Sequence, residues 1–201
     1  MQVETEALVC AARGHGEHGT IARVLTPSDG LIAGYVRGGR GRRLRPVLIP
    51  GNLVSVQLRS RNETQLPQMA LELVHSRAPI LGEALPSAAI EWVTALVTAA
   101  LPERQPYPRI YEALNGLLDA IEAAPSAIGW SAALVRFEQL LAAEIGYGDE
   151  DAEPVPPRWD SILAALERSS NGLFREVLTG RTGALQDSRS RLLDRLRRAA
   201  A

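Results

Sequence analysis

Residues 30–50 read GLIAGYVRGGRGRRLRPVLIP, a strand-like apolar run that turns into a glycine-arginine loop and then back toward a strand. Arg37, Arg40, Arg42, Arg43 and Arg45 fall within nine positions, and no acidic residue lies between Asp29 and Glu63. Such a run is a positive surface of the kind that meets a polyanion. The plainer reading is a mobile β-loop whose arginines are solvated. Gly38, Gly39 and Gly41 open the chain into a flexible or tightly curved loop.

Working outward from this loop, the preceding chain reads as strands. Residues 2–12 begin with alternation and become apolar, and RGHGEHG follows as a turn-rich connection. In TIARVLT, residues 20–26, Ile21, Arg23 and Leu25 share one side, with Ala22 and Val24 on the other. Pro27-Ser28-Asp29-Gly30 has turn chemistry throughout, so a hairpin leads into a third strand, Leu31 to Val36. Past the loop, Val47 to Ile49 is a short apolar segment between Pro46 and Pro50. A fourth strand follows over Asn52 to Arg59, with Val54, Val56 and Leu58 on one face. A polar turn, Ser60 to Thr64, precedes a fifth strand, Leu66 to Val74. Five short strands with no helix between them suggest a small closed barrel.

The period changes after Pro79 to Pro86 from two to about three and a half. Ser87 is placed to cap a helix from Ala88, with Ile90, Val93, Val97 and Leu101 as its apolar stripe. A second helix is expected over Arg109 to Ala123. A third is expected from Ser131 to Ile145, where Leu134, Phe137, Leu140 and Leu141 recur at helical spacing and Gly146 stops the run. Residues 146–159, GYGDEDAEPVPPRW, read as an acidic linker, followed by two short helices, Trp159 to Glu167 and Gly172 to Thr179. A basic amphipathic helix is expected over Ser188 to Ala200. The expected architecture is a β-domain over residues 1–80 and an all-α helical-bundle domain over residues 81–201.

A formal net charge of -1 hides a segregation along the chain. Residues 1–80 hold ten Arg against six acids, residues 81–160 four against thirteen, and residues 161–201 eight against four. Every one of the 22 basic residues is Arg. The bias of a GC-rich genome is the plainer account, though arginine also suits paired hydrogen bonds to phosphate. Cys10 is the single cysteine, which excludes an intrachain disulfide or a cysteine-based zinc site. No leader pattern and no apolar run of membrane-spanning length is found, so a soluble cytoplasmic protein without membrane contact is expected.

Motifs for bond-making chemistry are missing. His15 and His18 flank Glu17 in a glycine-rich loop, yet no third ligand is evident and an ordinary turn is the better reading. GGRGRR lacks the strand, helix and Lys-Ser/Thr ending of a P-loop. Asp149, Glu150, Asp151 and Glu153 lie in a proline-bounded linker and read as a solvated loop. No nucleophile and base pair up, so neither an enzyme nor a cofactor is expected. A β-barrel with such a loop can grip nucleic acid through backbone electrostatics and aromatic stacking. The candidate residues are Arg23, Tyr35, Arg37, Arg40, Arg42, Arg43, Arg45, Arg59 and Arg61. Tyr35 is the only aromatic before residue 80, so phosphate contacts would dominate and binding would be steeply salt-dependent with little base preference. On the last helix, Arg189, Arg191, Arg195, Arg197 and Arg198 surround Leu192, Leu193 and Leu196. They are read either as the charged outer face of a docked helix or as a second basic site.

The run GHGEHGTIARVLTPSDGLIAGYVRGGRGRRLRPVLIPGNLVSV resembles the N-terminal domain of the RecO family of bacterial DNA recombination and repair mediators. It carries Gly16-Glu17 before strand two, Thr26 with Gly30 at the hairpin, and Gly38 before a basic run. YEALNGLLDAI and WSAALVRFEQLLAAEIGYG resemble the family's helical region, where a Phe-Glu-x-Leu-Leu helix ends in Gly. The resemblance covers residues 2 to about 148. It implies an OB-fold followed by a helical domain. It also implies binding of single- and double-stranded DNA, annealing of complementary strands, and loading of recombinase onto coated single strands. RecR and the acidic, apolar C-terminal tail of single-strand-binding protein are the partners it implies. After Gly148 the chain departs from the family's cysteine cluster, so a zinc-free and trimmed C-terminal region is expected. The alternative function is a protein-interaction adaptor whose barrel is structural and does not contact DNA.

Overall fold

The computed structural model describes residues 2–60, 65–124, 126–148, 153–176 and 183–201. They fall into two compact units, Met1–Gly82 with Leu101–Tyr111, and Glu83–Ala100 with Glu112–Ala201. The first unit is a five-stranded closed barrel of β1 (Gln2–His15), β2 (Gly19–Thr26), β3 (Gly30–Val36), β4 (Leu53–Arg59) and β5 (Gln68–His75). Its strand order, β1-β2-β3-β5-β4, with β4 returning to β1, is that of the OB-fold.

One long strand makes this closure work. Residues 2–8 of β1 pair with β4, residues 8–15 pair with β2, and the register shifts between Val9 and Ala11. The bulge lets the strand bend from one neighbour to the other. The barrel closes on its far side through a single parallel pairing, Tyr35 with Gln68, where the Tyr35 N–H donates to the Pro67 carbonyl at 2.8 Å. Alternation places Ala7, Val9, Ala22, Val24, Ile32, Val36, Val54, Val56, Leu58, Met69 and Leu71 inside. Ala22 with Val24, and Val54 with Val56 and Leu58, which the sequence groups on one face of their strands, are the residues that enter the barrel core.

Of the flexible or tightly curved loop expected after Val36, the structure shows the tightly curved form: residues 38–48 wind into successive turns. The Arg45 N–H donates to Gly41 at 3.1 Å and the Leu48 N–H to Leu44 at 3.0 Å. In RRLRPVL, residues 42–48, Leu44, Val47 and Leu48 recur at helical spacing and all three pack on the barrel core. The segment is a plug whose apolar face looks in and whose arginines look out. It runs beside the edge of β1 that β4 has left. The Val9 N–H donates to the Asn52 carbonyl at 2.9 Å, and the Gly51 N–H donates to the Val9 carbonyl at 2.8 Å.

A buried polar clasp fixes the end of this plug. Asn52, fully buried, donates from its amide to the carbonyls of Pro46 at 2.8 Å and Val47 at 3.2 Å. Its Oδ1 accepts the backbone N–H of Arg77 at 2.9 Å. The buried Arg77 guanidinium donates to the Gly51 carbonyl at 2.9 Å. Rather than starting a strand, Asn52 satisfies backbone groups that the plug would otherwise leave stranded.

The second unit is all-α, built from α1 (Ala84–Ala100), the residues of α2 (Pro108–Ala123) from Glu112 on, α3 (Ala127–Glu144), α4 (Trp159–Glu176) and α5 (Gly183–Ala200). Four boundaries differ from the sequence reading. Ser87 is not a cap: its N–H already donates to Glu83, and Pro86 is tolerated because it lies in the first turn. Helix α3 begins at Ala127, and Ser131 sits buried inside it with its hydroxyl donating to the Ala127 carbonyl. The polar residues 168–171 do not break α4, which is one helix; residues 177–179 of the expected second helix lie outside the described residues. Helix α5 starts five residues early, where Leu185 and Ser188 are buried. The stop at Gly146 is as expected, with φ at 84° and the Tyr147 N–H reaching back to the Ala142 carbonyl at 2.8 Å.

A buried ion pair joins four of these helices. Glu138 of α3 is fully buried, and the Arg189 guanidinium of α5 donates to both its carboxylate oxygens. Glu138 also accepts the Trp92 indole N–H of α1 at 2.7 Å and the Ser169 hydroxyl of α4 at 2.6 Å. Arg189 further donates to the Leu166 carbonyl at 2.8 Å and stacks 4.7 Å above the Trp92 ring. Every member is satisfied, the condition under which a buried polar network is tolerated.

Candidate nucleic-acid interface

Strand pairing brings Arg13 of β1, Ile21 of β2, Tyr35 of β3, Gln68 of β5 and Arg59 of β4 into one transverse row. Ile21, Tyr35, Gln68 and Arg59 each adjoin a core residue and so face outward, and Arg13 is exposed at the rim. At about 4.8 Å per strand the row spans about 19 Å, with an arginine at each end and an aromatic between. Tyr35 has His15 edge-on beside it, the rings 6.1 Å apart at 81°. Gly19 makes room for the tyrosine: a Cβ there would lie 2.4 Å from the ring.

Above this row the arginine plug meets the β1–β2 turn. The Arg40 N–H donates to the His18 carbonyl at 3.3 Å, and its guanidinium donates to the Gly16 carbonyl at 3.1 Å. Arg37, Arg42, Arg43 and Arg45 are exposed, and their guanidinium groups have no hydrogen-bond or ion-pair partner among the described residues. Arg42 and Arg45 line an open concavity of about 430 Å³ with Pro46 and Ile49. Arg59 lines a second, of about 550 Å³, with Ser60, Gln65, Leu66 and Gln68. Arg23 stands two residues along β2 from Ile21, and its Nε donates to Glu103 at 3.0 Å. Arg61 lies outside the described residues.

Beyond the Arg59 end of the row the exposed side chains are acidic. Exposed Glu4 and Glu6 pair in register with Gln57 and Ser55, and Ser55 pairs with exposed Glu72. Positive charge is thus concentrated on residues 37–45, and a polyanion is drawn there.

The basic last helix is placed differently. Arg189 belongs to the buried pair with Glu138 and cannot face a ligand. Arg191 pairs with Glu91, Arg195 donates to the Ala84 carbonyl, and Arg197 pairs with Glu167 at 3.0 Å and Asp194 at 3.3 Å. Only Arg198 of the five is exposed with no partner among the described residues. Of the acidic linker, Asp149, Glu150 and Asp151 lie outside the described residues, and Glu153 is exposed. Among the described residues no group of three His, Cys, Asp or Glu is placed to hold a metal, and no helix is long and apolar enough to cross a membrane.

Sequence reading missed Arg13, His15 and Gln68. The signal for the first two was the length of β1: the strand was expected to end near residue 12, but Arg13, Gly14 and His15 pair with Ile21, Thr20 and Gly19. Gln68 joins the row only through the parallel closure with β3, which no local pattern announces.

Residues 1–77 match the family profile described as "Recombination protein O N terminal", and residues 85–150 match "Recombination protein O C terminal". The chain is 41% identical over 148 residues to the DNA repair protein RecO of Paracoccus denitrificans, covering 74% of this chain and 60% of that one. It is 34% identical over 179 residues to the DNA repair protein RecO of Caulobacter vibrioides, covering 88% and 72%. To that of Rhodospirillum rubrum it is 40% identical over 176 residues, covering 85% and 69%. Against the relatives from Paracoccus denitrificans and Rhodospirillum centenum, the match spans only 60% and 58% of their length. Barrel, helical unit and relatives agree: the chain belongs to the RecO family.

Proposed function

We propose that the chain is a non-enzymatic DNA repair and recombination mediator. Its barrel binds single- and double-stranded DNA along the arginine side, and it anneals complementary strands. The observation that carries this reading is the Arg13–Ile21–Tyr35–Gln68–Arg59 row beneath exposed Arg37, Arg42, Arg43 and Arg45. Arginines neutralise backbone phosphates and so lower the repulsion between two strands. Because Tyr35 alone offers a broad stacking surface, most bases stay free to pair with a second strand. Loading of recombinase, with RecR and the acidic, apolar tail of single-strand-binding protein as partners, completes the proposal. DNA contact is assigned to the barrel rather than to α5, whose arginines are mostly held by carboxylates and carbonyls of their own unit.

The test replaces Arg37, Arg42, Arg43 and Arg45 with Ala and follows a labelled oligothymidylate by fluorescence anisotropy across a salt series. The slope of log affinity against log salt should become shallower by about 0.7 for each phosphate that is no longer neutralised. Unchanged affinity and slope, with an unchanged circular dichroism spectrum, would refute the role of the plug. A wild-type chain with no salt-dependent binding would favour the adaptor reading, in which the barrel is structural.

A further inference from the structure

One arginine on the proposed DNA side already holds an anion. Arg23 donates from Nε to the Glu103 carboxylate at 3.0 Å, with the two side chains 33% and 44% exposed. Many such surface pairs are incidental. This one is delivered by a built turn. Glu103 bridges in parallel register to Leu31 of β3, and the next N–H, of Arg104, donates to the Leu31 carbonyl at 2.9 Å. Arg104 has φ at 63°, a left-handed conformation that a side-chain-bearing residue keeps only when its surroundings impose it. The turn then sits on Gly30, where a Cβ would lie 1.8 Å from the Gln105 carbonyl oxygen. The backbone therefore brings the carboxylate to Arg23.

We infer that Glu103 stands in for a backbone phosphate at Arg23, so that a nucleic-acid strand must displace an internal carboxylate before it gains that contact. This rests on the reading of the barrel as a DNA-binding surface. Arg23 lies on β2 about 6.6 Å from Ile21, within the reach of a strand seated along the Tyr35 row. A competitor fixed in place lowers affinity and removes one unit of effective positive charge from the free site. It leaves the shape of the site intact, and it is freed when a longer, multiply contacting polyanion displaces it.

The test compares wild type, Glu103→Gln, Arg23→Ala and the double variant for binding a labelled thirty-residue oligothymidylate across a salt series. Glu103→Gln keeps the side chain's shape and removes its charge. It should bind about two- to fivefold tighter at low salt, the range expected for an exposed ion pair. Its salt slope should be steeper by about 0.7, one more phosphate neutralised on a single strand. In the Arg23→Ala background the same change should lose most of this gain. If wild type binds and Glu103→Gln has the same affinity and slope, the inference is overturned and the DNA-binding reading stands. An equal gain with Arg23 absent also overturns it, because the carboxylate would then act only through general charge. If wild type binds no strand at any salt, the DNA-binding reading falls, and this inference with it.

Discussion

Changing Arg189 to Ala separates two roles that the basic last helix was read to offer. As a DNA contact its removal would weaken binding and leave the fold alone. As placed, it would damage the helical unit. Truncation strips Glu138 of its bidentate partner while the carboxylate stays fully buried. Removing one member of a buried pair costs about 3–5 kcal/mol, and taking the guanidinium away from Trp92 adds about 0.5–2 kcal/mol. The loss is offset in part because Glu138 keeps two donors, the Trp92 indole N–H and the Ser169 hydroxyl. A net destabilisation of about 4 kcal/mol is expected, a large part of the total stability of a typical domain. The measurement is urea unfolding followed by circular dichroism at a helical wavelength. A companion variant, Glu138→Leu with Arg189→Met, removes both charges and should recover most of the stability, since apolar replacements of a buried pair are often neutral. The reasoning fails if Arg189→Ala unfolds at the wild-type urea concentration while its DNA affinity drops. It also fails if the double variant is no better than the single one.

Two further predictions concern the barrel. Burial pushes the Cys10 thiol up to about 12, against an unfolded value of 9.0. The unfolded chain therefore releases this proton first, and the stability tied to the neutral thiol is complete below pH 9 and falls between pH 9 and 12. The fall should approach about 1.4 kcal/mol per pH unit, and Cys10→Ala should flatten that part of the profile. Tyr111, raised by burial and by the charge of Glu6, adds to the fall with the same sign. Changing Gly19 to Ala sets a methyl against the Tyr35 ring and should destabilise the barrel by about 1–3 kcal/mol. It should also displace the ring, which a shift in tyrosine fluorescence or in its proton resonances would report; a native ring environment would refute the close approach.

The strands and the apolar faces of the helices were legible because they depend on near neighbours. Val24 and Ala22 alternate with Arg23, and Leu134, Phe137 and Leu141 recur at a helical period, whatever the rest of the chain does. The plug was legible too, at Leu44, Val47 and Leu48, but the surrounding arginines and glycines drew attention to flexibility. Arg189 carried its own signal. With Leu185, Leu192 and Leu196 it forms a single helical stripe, and Glu138 sits likewise among Leu134, Phe137 and Leu141. Opposite charges on the apolar stripes of two helices are the mark of a buried pair. The transverse row had no such signal, because it depends on the β3–β5 closure, and the Glu103 contact joins residues 80 positions apart. Both are consequences of topology, which local periodicity does not encode.

The Asn52–Arg77 clasp bears on how the arginine side would respond to heat. A loop that must order itself around its ligand gives up backbone entropy on binding, at about 1–2 kcal/mol per residue fixed, and its affinity then depends strongly on temperature. Here the plug is ordered beforehand by Leu44, Val47 and Leu48 below and by the clasp at its end. Only the arginine side chains have freedom left to give up. Phosphate contact on such a surface resembles the docking of a rigid comb, driven by the entropy of ions released and with little heat from chain folding.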